Sequence, residues 1–214
     1  MRGPAGAMRA RVARVGLVLL ATSVLGGSVR SADNPPAGAP SWQIARGDVR
    51  VLCPLTVGGS FEARTSSLTA TLALTTPRPV ALAGEVAVDL RTLDTGISMR
   101  NGHMRDNYLE VGKGAGFETA VLSDIRLPDG DAATLSGRTR FSGTLLLHGT
   151  RRAVAGDADV RRDGSTVKID AAFTVRLEDY AIAPPRYLGV GVKDEVMVKV
   201  SLTATPAQTA DGSR

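Results

Sequence analysis

The chain of 214 residues has one cysteine, two histidines, one tryptophan, three tyrosines and four phenylalanines. A single cysteine permits no internal disulfide, so stability must come from packing. Cys53 falls at an inward place of an alternating run and reads as a buried, inert thiol rather than a nucleophile. His103 and His148 lie far apart, with no H-x-x-x-H spacing and no cysteine companion, which argues against a metal site. There is no G-x-S-x-G elbow and no Walker loop. The glycine clusters Gly112–Gly116 and Gly189–Gly191 precede apparent strands rather than helices, so they read as turns, and no cofactor is implied. With so few aromatic platforms for sugar rings, Asp94, Asp106 and Glu110 read as caps and surface charges, not as an acid and base pair.

Charge of one sign is also missing from most of the chain. The net charge is +5, but Arg2, Arg9, Arg11, Arg14 and Arg30 stand in the first 31 residues without one acid, and the remainder is neutral. A nucleic-acid partner is therefore not expected, and Arg151-Arg152 and Arg161-Arg162 read as solvated rims. No apolar run reaches the ~20 residues of a spanning helix. The longest, Val15–Leu25, follows the basic stretch and precedes Gly26, Gly27, Ser28, Ser31 and Ala32, the layout of a secretory signal peptide. Cleavage is expected after Ser28, Ser31 or Ala32, leaving a periplasmic or secreted protein with no stable membrane span.

What is present is a core-forming composition, 43% hydrophobic and 22% charged, arranged with a period of two. After a Pro/Gly/Ala linker, apolar residues take alternate places at Val49–Val57, Leu68–Leu74, Val86–Leu90, Phe117–Leu127, Phe141–Leu147, Val154–Val160, Val167–Leu177 and Val196–Ala204. Turn signals separate these runs, among them Thr76–Pro79, Pro128–Asp131, Gly149-Thr150 and Asp163-Gly164. Short links make neighbouring strands antiparallel, and eight such strands form either a closed barrel or a two-sheet sandwich. The inward residues are mostly Val, Leu and Ala, with small or polar Gly143, Thr119 and Ser123, which favours an open interior over a packed one. Such a cavity suits a long, greasy ligand: burying ~300 Å² of it is worth on the order of 7 kcal/mol before association costs. Between the third and fourth runs, Ile97, Met104, Tyr108 and Val111 form a helical stripe with Asp94 as its N-cap. That helix either covers a barrel mouth or packs beneath it, with Arg100, His103, Arg105 and Asp106 nearer to solvent.

The order of the motifs resembles the YceI-like family of secreted lipid- or polyisoprenoid-binding proteins. Val86-Ala87-Val88-Asp89-Leu90 runs into Arg91-Thr92-Leu93-Asp94-Thr95-Gly96, similar to that family's strand and Leu-Asp-Thr-Gly turn. Arg100-Asn101-Gly102-His103-Met104-Arg105 follows, then Tyr108-Leu109-Glu110. Leu145–Thr150 resembles its His-Gly hairpin, and Gly191–Val196 its Lys-Asp-Glu-Val lead-in to the last strand. The likeness covers residues 47–205, departing at Gly112–Gly116, where the expected proline is missing. It implies an all-β fold, an eight-stranded antiparallel lipocalin-like barrel with one helical insertion between strands 3 and 4, and an apolar tunnel for a long-chain amphiphile.

The expected organisation is a signal peptide at 1–31, a linker at 32–46, the barrel at 47–206 and a disordered tail at 207–214. The expected function is non-catalytic sequestration or transport of a polyisoprenoid or fatty-acid-like lipid. The alternative is an envelope stress or scaffold protein with a packed barrel, and an enzyme using the His103 region ranks lower. The expected lining is Val86, Val88, Phe117, Val121, Phe141, Leu145, Phe173, Val175, Val198 and Val200. Arg100, His103 and Arg105 either meet the ligand head group or hold loop carbonyls, and His148 is read as structural. Oligomeric state is left open, a homodimer included.

Overall fold

The computed structural model describes residues 39–187 and 189–207. The expected signal peptide at 1–31 and nearly all of the expected tail lie outside them. The alternating runs become strands, with the unannounced β2 added to them: β1 (Ser41–Pro54), β2 (Ser60–Thr65), β3 (Leu68–Pro77), β4 (Val80–Asp89), β5 (Thr119–Leu127), β6 (Gly137–Leu147), β7 (Thr150–Asp163) and β8 (Thr166–Arg176). Two short strands, β9 (Arg186–Tyr187) and β10 (Val190–Gly191), precede the last, β11 (Glu195–Pro206). β1 begins at Ser41, so 41–46, read as linker, are strand.

All pairings are antiparallel, in the order β11-β8-β7-β6-β5-β4-β3-β1-β2, and β1 also pairs with β11 from Trp42↔Pro206 to Leu52↔Met197. That last ladder closes the sheet on itself and leaves no long free edge. β2 pairs with the end of β1 (Pro54↔Ser60) and β3 with its start (Trp42↔Leu72), so β2 and β3 act as one wall strand broken at Ser66-Ser67. The barrel is therefore eight-stranded, as the alternation predicts.

The phase of β5 differs from the expectation. Asp124 adopts a left-handed conformation (φ 53°) where the β5–β6 register slips between Ser123 and Arg126. Such a bulge inserts one residue and reverses which face the following side chains occupy. Ile125 and Leu127 point into the core as expected, but before the bulge it is Ala120 and Leu122 that point in. The adjacent polar pair Ser123-Asp124 beside the adjacent apolar pair Val121-Leu122 is the sequence mark of that break.

The insertion carries α1 (Ser98–His103), which continues as a π-helical turn over Met104–Tyr108. Asp94 does not cap it: the N-cap is Ile97, without a side-chain hydrogen bond. Asp94 Oδ1 instead accepts from Gly96 N–H (2.8 Å) and Asn101 Nδ2 (2.6 Å), folding the turn onto the helix. These bonds, Asn101's first, hold the Asp94 carboxyl below its ordinary range. The predicted stripe is only partly buried, for Ile97 is exposed.

Candidate functional site

The barrel encloses a cavity of about 920 Å³, toward the upper end of the range for small-molecule sites. Its wall is built mostly from Val, Leu, Ile, Ala and Phe side chains, because the wall strands turn their apolar alternate residues inward. Of the expected lining, Val86, Val88, Phe141, Leu145, Phe173, Val175, Val198 and Val200 all face it. Phe117 and Val121 do not. The bulge at Asp124 turns Val121 outward, and Phe117, ahead of β5, packs edge-to-face on His148 with ring centroids 4.7 Å apart.

The two ends of the barrel differ. At the end holding the β3–β4 and β7–β8 turns, the 128–136 loop brings Ala132 and Leu135 onto the core. Arg162 donates to the carbonyls of Leu135 (3.2 Å) and Ala132 (2.7 Å), Ala132 N–H donates to Pro77 (2.9 Å), and Arg78 pairs with Asp131. Trp42 lines the cavity here. At the opposite end, the cavity is bordered by Ser60, Ile97, Met99, His103, Arg186 and Val190, all exposed. That end is the mouth, and the helical insertion lies across part of it.

Arg100 and His103 thus border the cavity, with the Arg100 guanidinium 4.3 Å over the Phe61 ring. Arg105 does not: its Nη2 donates to the Leu93 carbonyl (2.6 Å), the loop-holding alternative. Sequence reasoning passed over Phe61 and Ala63 on β2, Val190 in the Gly189–Gly191 segment read as a turn, and Arg186 ahead of it. β2 is short and its apolar residues are too few to stand out, although Phe61 and Ala63 do alternate.

The remaining motifs fasten this end. His148 and Gly149, both with positive φ (50° and 72°), make the two-residue β6–β7 hairpin turn. The His148 ring is held by the Tyr180 carbonyl (3.0 Å) and by Glu110 (2.9 Å), so its role is structural as expected. Lys113 and His148 together lower the Glu110 carboxyl, Lys113 more strongly. Asp194 accepts from Glu178 N–H (2.9 Å) and Arg176 (3.1 Å), tying the end of β8 to the lead-in of β11. Its carboxyl is lowered by the Glu178 bond first. Among the described residues no three of His, Cys, Asp and Glu gather where a metal would bind, and no helix is long and apolar enough to cross a membrane.

Cys53 lines the cavity, and burial pushes its thiol up to about 11. At pH 8 a water-soluble disulfide reagent is expected to label it on the order of a hundredfold more slowly than a free cysteine, since only the thiolate reacts. Unfolding should restore the ordinary rate; equal rates in the folded protein would contradict the burial.

A model of the YceI-like domain matches residues 43–204. The chain belongs to the YceI-like family. Two solved structures share its fold. One, BcnA from Burkholderia cenocepacia, aligns with a TM-score of 0.60 at 19% identity, over 74% of this YceI-like chain and 96% of BcnA. The other, a polyisoprenoid-binding domain from Saccharophagus degradans implicated in plant cell wall breakdown, aligns with a TM-score of 0.56 at 17% identity, over 78% and 98% of the two chains. No curated protein matches the sequence significantly. In the three motifs that carry the resemblance, Asp94, His148 and Asp194 thus fasten the loops of the mouth end, while their neighbours Leu93, Leu147 and Val192 line the cavity.

Proposed function

We propose that this YceI-like protein binds a long-chain amphiphile, a polyisoprenoid or a fatty-acid-like lipid, without chemical change, and that it works in the periplasm or outside the cell. The observation that carries this reading is the cavity itself: about 920 Å³ of space bounded by apolar side chains and open at one end. Water gains little in such a space, whereas an apolar chain gains about 25 cal/mol for each Å² it removes from water. The tail would lie against Phe141, Phe173, Val175, Val198 and Val200, and the head group would rest at the mouth beside Arg100 and His103. The polyisoprenoid-binding relative from Saccharophagus supports the ligand class. The layout of residues 1–31 supports the location.

Native mass spectrometry of the protein as purified from its cell envelope, with organic extraction of whatever accompanies it, tests this reading. A stoichiometric long-chain lipid is the expected result. A protein that is reproducibly empty and also rejects added isoprenoids and fatty acids would overturn it in favour of a barrel acting through its outer surface.

A further inference from the structure

Five large hydrophobic residues are exposed among the described ones, and all five lie at the mouth end of the barrel: Val57, Ile97, Met99, Val190 and Met197. Val57, 68% exposed, tips the hairpin between β1 and β2; Met99, 70% exposed, stands in the first turn of α1; Met197 is near the start of β11. The hairpin and the β9–β10 segment are joined, Thr56 N–H donating to the Gly191 carbonyl (2.8 Å) and Gly191 N–H to Thr56 Oγ1 (3.0 Å). This brings Val57 and Val190 onto one rim. Met197, between the inward Val196 and Val198, faces the outer wall, whereas Ile97, Met99 and Val190 border the opening; scattered exposed apolar residues need no explanation, but a rim of them around an opening marks a contact surface.

The charges on the rim select the partner. Arg100 and Arg186 border the opening and make no ion pair among the described residues, and His103 stands with them. Asp106, Glu178, Asp179 and Glu195, also exposed at this end, do not line it. Apolar side chains interleaved with unpaired arginines fit the interface of an anionic bilayer, where the former enter the acyl boundary and the latter meet phosphates. We propose that the mouth docks onto an anionic lipid bilayer, so that a lipid passes between bilayer and cavity without crossing water. The proposal rests on the reading of the cavity as a lipid site and adds where its ligand is exchanged.

The test is sedimentation of the protein, purified as above, with vesicles of phosphatidylcholine alone or mixed with phosphatidylglycerol. Binding to the mixed vesicles is expected, and omitting the anionic lipid should weaken it roughly fivefold for each arginine that then faces no net negative charge. Val57 does not line the cavity, so Val57→Asp should retain bound lipid yet bind mixed vesicles at least about tenfold more weakly, while Val57→Trp binds them more tightly. Vesicle binding that Val57→Asp leaves intact would overturn the docking surface. So would a dimer that Val57→Asp dissociates in a protein that ignores vesicles, since the rim would then serve self-association. A protein that carries lipid but never sediments overturns the docking alone. One that neither carries nor accepts lipid overturns the reading beneath it.

Discussion

Val198→Trp is expected to fold and to lose between one and two orders of magnitude in affinity for a long-chain lipid. Val198 faces the cavity from β11, flanked across the ladders by Phe173 and Val51. An indole at that place projects into the open space rather than into a packed neighbour, so the fold tolerates it better than a filled core would. If it displaces roughly 100 Å² of ligand surface from the wall, about 2.5 kcal/mol of binding is lost, which is near fiftyfold or more. Val121→Thr serves as the control, because the bulge at Asp124 turns that side chain out of the cavity. Titration with a fluorescent isoprenoid, with circular dichroism to check the fold, measures both. Undiminished affinity in a folded Val198→Trp variant would place the ligand somewhere else.

A large effect on stability is expected at Gly156. It lies on β7 between Phe141 of β6 and Phe173 of β8, its register partners on either side. Those two rings meet edge-to-face, centroids 5.9 Å apart, over the space that a side chain at 156 would fill. A Cβ there would run into the Ala172 carbonyl and lie 2.9 Å from the Phe141 ring. Gly156→Ala should therefore cost about 3 kcal/mol, within the usual range for overpacking, and lower Tm by roughly 6–12 °C in a domain of this size. Gly102→Ala should do the opposite. Gly102 is within α1 and a Cβ there meets nothing within 4 Å, so alanine's helix propensity gives up to about 1 kcal/mol of stabilisation. Thermal melts of the pair check the signs; a neutral Gly156→Ala would show that the β8 backbone at Ala172 gives way along with the two phenylalanines.

These glycines show where the sequence is silent. Gly102 and Gly156 are chemically identical, and only the neighbours brought up by distant strands separate an open position from a blocked one. Legibility was high where a strand is regular. Val167 to Leu177 and Val196 to Ala204 alternate without interruption, and every inward residue of both runs lines the cavity. It failed at β5, where a left-handed Asp124 reverses the phase, and at β2, where Phe61 and Ala63 are too few to declare a strand. The insertion was legible as a helix but not in its contacts. Asp94 reads as a cap by type and spacing, yet in the folded chain Asn101 and Gly96 take its carboxylate.

The sequence by itself determined eight antiparallel strand runs with one apolar face each, because alternation is a local property and each strand carries its own record of which face is buried; a barrel rather than a two-sheet sandwich was implied only by the family resemblance. It also determined the family, through short motifs in a set order. The tertiary structure alone decided that β1 and β11 close the sheet, that Arg105 holds the Leu93 carbonyl while Arg100 borders the cavity, and that the mouth lies at the end of the helical insertion. Closure, the loop that covers the opposite end and the gathering of exposed apolar residues around the opening each depend on contacts between segments far apart in the chain, and a periodicity measured within one strand contains no information about them.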